Sequence, residues 1–141
     1  MRPLSPTPLP QRGEGLRFAG YAAVFDRVDR GGDVVRAGAF ARALKRGGEV
    51  PLLWQHQAGR PIGRIELLAE DGRGLRVIGR VADGEAARLL GAGAVRGLSF
   101  GYRVRAASGA EPRELTDLDL VEVSLVTFPM QPKARVHAVE G

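Results

Sequence analysis

Apolar positions in this chain fall mostly into short runs, often with a period of two, separated by clusters of Gly, Asp and Pro. That is the pattern of strands joined by turns. Leu16–Phe25 is apolar and aromatic, as a strand covered on both faces would be. Asp29–Asp33, with Gly31-Gly32, predicts a turn. Val50–His56 predicts a strand that carries His56 on the face of Leu52 and Trp54. Ile62–Leu68 and Leu75–Ala82 flank Glu70-Asp71-Gly72-Arg73-Gly74 and predict a hairpin. Leu98–Arg105 alternates strictly: Leu98, Phe100, Tyr102 and Val104 face one way, and Ser99, Gly101, Arg103 and Arg105 the other. Leu118–Thr127 predicts a long strand with Glu122 and Ser124 on the face of Leu118, Leu120 and Val126. Ala106–Glu114, between these last two, reads as a mobile loop that helps admit a ligand.

A helical period appears twice. Ala39–Arg46 places Phe40 and Leu44 at i, i+4, and Gly47-Gly48 stops it. Asp83–Leu90 has Asp83 as cap, Glu85 in the first turn, and Gly91 and Gly93 beyond its end. The four prolines at positions 3, 6, 8 and 10 make residues 1–12 a disordered lead-in, leaving 13–141 as one folded domain. The order predicts a mainly β protein with short helices (α+β), built as a small closed β-barrel with peripheral helices.

Composition narrows the chemistry. The chain of 141 residues has no cysteine, which excludes disulfides, thiol catalysis and cysteine-ligated zinc. With only His56 and His137, and no acidic cluster, no metal or other cofactor is expected. No apolar run reaches the roughly 18 residues of a membrane span, so no membrane partner is expected. The start Met1-Arg2-Pro3-Leu4-Ser5-Pro6 lacks the apolar core of a signal peptide, which predicts a protein that is not secreted. The net charge of +5 comes almost wholly from arginine, as Lys45 and Lys133 are the only lysines. Arginine excess can serve nucleic acid, but the aromatics here are not interleaved with the arginines as a stacking platform would need, so nucleic acid is not the expected partner.

Three residues could carry chemistry. Ser99 lies on the polar face of its strand beside Gly101, where a ligand backbone could approach closely. His56 ends an apolar strand and could take a hydroxyl proton; His137, four residues from the end, lies where fraying is expected. Glu122 shares its face with apolar neighbours, and a shielded acid there calls for a histidine or arginine partner.

Five segments in order then carry a resemblance: Gly20-Tyr21-Ala22 with Phe25; Gly32-Asp33 with Gly38-Ala39-Phe40; Leu53-Trp54-Gln55-His56 with Pro61-Ile62-Gly63-Arg64; Gly97-Leu98-Ser99-Phe100-Gly101-Tyr102; and Leu120-Val121-Glu122-Val123-Ser124-Leu125-Val126-Thr127 with Pro129 and Ala134. Over residues 18 to 136 the chain resembles the tailed-phage prohead (capsid maturation) serine proteases. The resemblance implies a barrel related to the herpesvirus assembly proteases. It implies a serine endopeptidase that cleaves scaffold or capsid-subunit extensions inside an immature shell in the bacterial cytoplasm, whether of a phage, a prophage or a gene transfer agent. It implies Ser99 as nucleophile and His56 as general base, with the two side chains about 4 Å apart. The herpesvirus enzymes use a second histidine, for which this chain has no suitable position; Glu122 is the third member implied here, with Asp33 the alternative. A homodimer working at high local concentration, with the major capsid protein or scaffold as substrate, is implied as well. A non-enzymatic capsid barrel and a basic nucleic-acid-binding barrel are the rival classes, and the first would keep Ser99 and His56 far apart.

Overall fold

The computed structural model describes residues 15–141; the proline-rich lead-in expected at 1–12 lies outside them. In order the chain forms β1 (Leu16–Val24), β2 (Asp33–Val35), α1 (Ala41–Arg46), β3 (Leu52–Trp54), β4 (Gln57–Glu70), β5 (Gly74–Val81), α2 (Gly84–Gly91), β6 (Gly97–Ser108), β7 (Arg113–Val126) and β8 (Val136–Glu140). The fold is mainly β, as the alternation predicts.

β7 is the spine of the sheet. It pairs antiparallel with β6 along nearly its whole length, and parallel with β2 at Arg113–Leu115 and with β3 at Val123–Leu125. The path continues β3-β4-β5-β1-β8. β6 and β8 meet only at an isolated bridge, Gly97 with Arg135, flanked by Leu98 N–H donating to Ala134 O (3.0 Å) and Val136 N–H donating to Arg96 O (2.8 Å). No ladder among the described residues joins them, so the expected closed barrel is met only in part: the sheet curls around a core without closing as a continuous hydrogen-bonded cylinder.

That core holds Phe18, Phe40, Leu52, Ile62, Leu75, Val77, Leu90, Leu98, Leu115, Leu118 and Leu125, all buried. Each such side chain contributes about 1.5–3 kcal/mol relative to exposure. Phe40 meets Phe100 edge to face at 5.2 Å, which seats α1 against β6. α1 has no side-chain cap of its own; instead Glu70, at the end of β4, accepts from the Gly38 and Phe40 N–H groups (2.9 and 2.8 Å). α2 is capped as its sequence predicts, by Asp83 accepting from Ala86 N–H at 3.0 Å.

The segment expected as a mobile loop, Ala106–Glu114, is mostly strand. β6 runs to Ser108, β7 starts at Arg113, and only residues 109–112 connect them. Register shifts after Gly101 and after Val104 break the apolar alternation there, and the pairing of Arg113–Leu115 with distant β2 completes a sheet that local sequence does not announce. β8 was likewise expected to fray, and instead pairs with β1 from Arg17–Glu140 to Gly20–Val136.

Candidate active site

The strand expected over Val50–His56 stops at Trp54. Trp54 pairs with Gln57, so Gln55 and His56 are the two central residues of a β3–β4 hairpin turn. Both have positive φ, 52° and 62°, as a type I′ turn requires. Such turns usually carry Asn-Gly, and Gln-His offers no such signal, which is why the pattern reads as uninterrupted strand. His56 therefore does not lie on the Leu52–Trp54 face. It turns toward the face that carries Leu53 and Ser124, which are cross-strand partners.

On that face the side chains form a closed ring of hydrogen bonds. The His56 backbone N–H donates to Ser124 Oγ (3.0 Å), the Ser124 hydroxyl donates to Glu122 Oε1 (2.7 Å), and His56 Nδ1 lies 2.5 Å from Glu122 Oε2. An ionised carboxylate can only accept, so Nδ1 carries the hydrogen and Nε2 is left as the acceptor. Ser124 is fully buried, the Glu122 side chain is 10% exposed, and the His56 side chain is 44% exposed. The carboxylate is thus shielded and fully bonded, while the imidazole reaches solvent.

Glu122 pairs with Gly101, and Leu120 pairs with Tyr102, across a register shift that leaves Val121 as an extra residue. Paired residues share a face, so the bulge puts Glu122 on the opposite face from Leu120, contrary to the expectation from simple alternation. Gly101 is required beneath the carboxylate, because a Cβ there would stand 2.5 Å from Glu122 Oε2.

Ser99 pairs with Ser124 and lies on the same face, one cross-strand step from the ring. It is 6% exposed, more covered than an ordinary polar-face serine. The segment after β7 packs close by, against Gly97. A Cβ on Gly97, two residues before Ser99 and pointing to the same side, would meet the Pro129 ring at 2.8 Å. Among the described residues the Ser99 hydroxyl makes no hydrogen bond, so no direct bond to His56 is present. Such bonds are often loose in a free enzyme and tighten with substrate.

The alternative acid is engaged elsewhere. Asp33 accepts two bonds from Arg113 (3.1 and 2.9 Å), which hold its carboxyl below the usual range. His137, on β8, packs edge to face on Tyr21 at 5.7 Å; partial desolvation, then Arg73, Arg135 and Arg96, lower its proton affinity. The structure thus brings together His56, Glu122 and Ser124, sets Ser99 beside them, and leaves Asp33 and His137 apart.

Two supporting residues were not assigned from sequence. Ser124 carries no signal in the sequence beyond its place on the face of Glu122. Gln55 donates from Nε2 to Thr127 Oγ1 (2.7 Å), accepts at Oε1 from Thr127 N–H (3.1 Å), and donates its own N–H to Leu125 O (3.0 Å). This clamp holds the unusual backbone of the turn. Among the described residues no group of three or more His, Asp or Glu side chains converges as a metal site would. No helix among them is long and apolar enough to cross a membrane.

Residues 7–141 match the family model described as caudovirus prohead serine protease. The prohead protease of Enterobacteria phage HK97 is 34% identical over 137 residues, covering 88% of this chain and 60% of that protein, so this chain spans about three fifths of that relative's length. Among solved structures, the bacteriophage T4 capsid assembly protease aligns with a TM-score of 0.64 at 16% identity, over 82% of this chain and 84% of that one. Varicella-zoster virus protease aligns with a TM-score of 0.63 at 17% identity, over 90% and 64% of the two chains. These two likenesses concern the fold.

Proposed function

We propose, for a chain that belongs to the caudovirus prohead serine protease family, that it is a serine endopeptidase with Ser99 as nucleophile, His56 as general base and Glu122 as the acid behind it. The observation that carries this reading is the bond from His56 Nδ1 to the shielded Glu122 carboxylate, on the face where Ser99 lies. It fixes the imidazole tautomer that leaves Nε2 free to accept a proton.

In this mechanism Ser99 Oγ attacks the scissile carbonyl carbon as its proton passes to His56 Nε2. Glu122 stabilises the resulting imidazolium. The tetrahedral adduct collapses, Nε2–H protonates the leaving amine, and an ester to Ser99 remains. Water, deprotonated by His56, then hydrolyses the ester and returns the proton to Ser99. Ser124 acts through its neighbours, as a positioning residue that anchors both the His56 backbone and the Glu122 carboxylate.

The substrate in this reading is the major capsid protein or scaffold of a phage-like particle, cut inside the immature shell. The family membership supports this, as does the likeness to a phage relative named as a prohead protease. The test is labelling with a fluorophosphonate, which phosphonylates an activated serine. Peptide mass mapping is expected to place the adduct on Ser99, with the label lost in His56→Ala. An adduct on another serine, or none on folded protein, would overturn the assignment.

A further inference from the structure

The segment that follows β7 and packs on Gly97 carries the most exposed large apolar side chain among the described residues. Phe128 is 81% exposed. Its two chain neighbours are fixed against the two halves of the site. Thr127 is held in both directions by Gln55, next to His56, and the Pro129 ring sits over Gly97, two residues before Ser99 on the same face. Phe128 therefore stands on backbone anchored on one side beside His56 and on the other against the strand that carries Ser99. Two further exposed apolar side chains stand near this segment. Met130 is 49% exposed, and its carbonyl accepts from Arg30 N–H at 3.1 Å, which brings up the loop bearing Val28, 60% exposed. Large apolar side chains left in water on anchored backbone beside a reactive centre are suited to contact with a ligand.

We propose that Phe128, with Met130 and Val28 behind it, forms an apolar subsite that takes a nonpolar side chain of the polypeptide substrate next to the scissile bond. This rests on the serine endopeptidase reading above. The occupant follows from position: a chain whose carbonyl carbon reaches Ser99 must carry the side chains flanking that carbonyl past the Thr127–Pro129 segment.

The probe is a library of internally quenched peptides with randomised residues around the cleaved bond. It is followed by a matched pair that differs only by Leu or Ser at the preferred position. Rates are normalised to the Ser99 fraction titrated by fluorophosphonate. Wild type is expected to prefer the Leu peptide, and Phe128→Ala to reduce the Leu/Ser ratio of kcat/KM by about 10-fold or more, with Phe128→Leu restoring most of it. No apolar preference in wild type, an unchanged ratio in Phe128→Ala, or an equal fall on both peptides would overturn the subsite. So would a change from dimer to monomer at unchanged ratio, which would make a second copy the occupant. Failure of wild type to take the label at Ser99 would instead remove the endopeptidase reading, and the subsite with it.

Discussion

His56 stands in a backbone conformation that non-glycine residues rarely adopt, and so does Gln55 before it. Each such residue costs on the order of 1–3 kcal/mol, and strain of this kind persists where the surroundings over-determine it. Here the Gln55–Thr127 clamp and the Ser124 hydroxyl do so. What the strain achieves is direction: it swings the imidazole across the sheet to Glu122. Glu122→Gln keeps the shape of that partner and removes its charge. Turnover is expected to fall by as much as about 10⁴-fold, the scale seen when a triad acid is neutralised in a known serine protease, with melting little changed. A sharp loss of stability, of about 3–5 kcal/mol, with normal turnover per folded molecule would reduce Glu122 to a structural ion-pair partner. Asp33→Asn is expected to leave turnover unaltered, since Asp33 serves Arg113.

At the scale of elements, the β6–β7 ladder aligns the site, because its register sets Ser99 beside Ser124 and Gly101 under Glu122. A methyl group at Gly101 would displace the carboxylate rather than disturb the core. Gly101→Ala is therefore expected to lower kcat more than it lowers the melting temperature, approaching the loss in Glu122→Gln. Wild-type turnover in this variant would contradict the assigned geometry. The same ladder explains what was legible in the sequence. Leu98–Arg105 alternates cleanly because its inner face packs on the core, so the face of Ser99 could be read directly. The face of Glu122 could not, because the extra residue at Val121 reverses the alternation and a bulge leaves no mark in composition. Nor could the Gln55–His56 turn, which lacks the glycine or asparagine that such turns usually show. The strands that local pattern missed, β2 and β8, are short and owe their pairing to distant partners.

For the whole molecule, several arginines are tied into ion pairs between elements, which leave the net charge of +5 unchanged. Arg17 and Arg80 share Glu66, and Arg42 joins α1 to Asp117 and Asp119 on β7. Pairs this exposed are worth about 0–1 kcal/mol each. His137 makes a sharper prediction. Although largely exposed, its ring has its proton affinity lowered below the usual 6.5 by partial desolvation and by the neighbouring Arg73, Arg135 and Arg96. The unfolded chain then binds the proton more readily, so its contribution to stability is present above 6.5 and is lost as pH falls through the lower folded value. His137→Gln is expected to flatten the decline of melting temperature between about pH 7 and 5; an unchanged slope would contradict this. The proposed particle-level role is tested most directly by co-expressing the chain with its candidate substrate, a major capsid protein from the same genome, and measuring the intact mass of that protein. The account predicts a discrete loss of mass with wild type and none with Ser99→Ala, whose fold should be intact because the lost hydroxyl makes no hydrogen bond among the described residues. Equal processing by folded Ser99→Ala protein would contradict it.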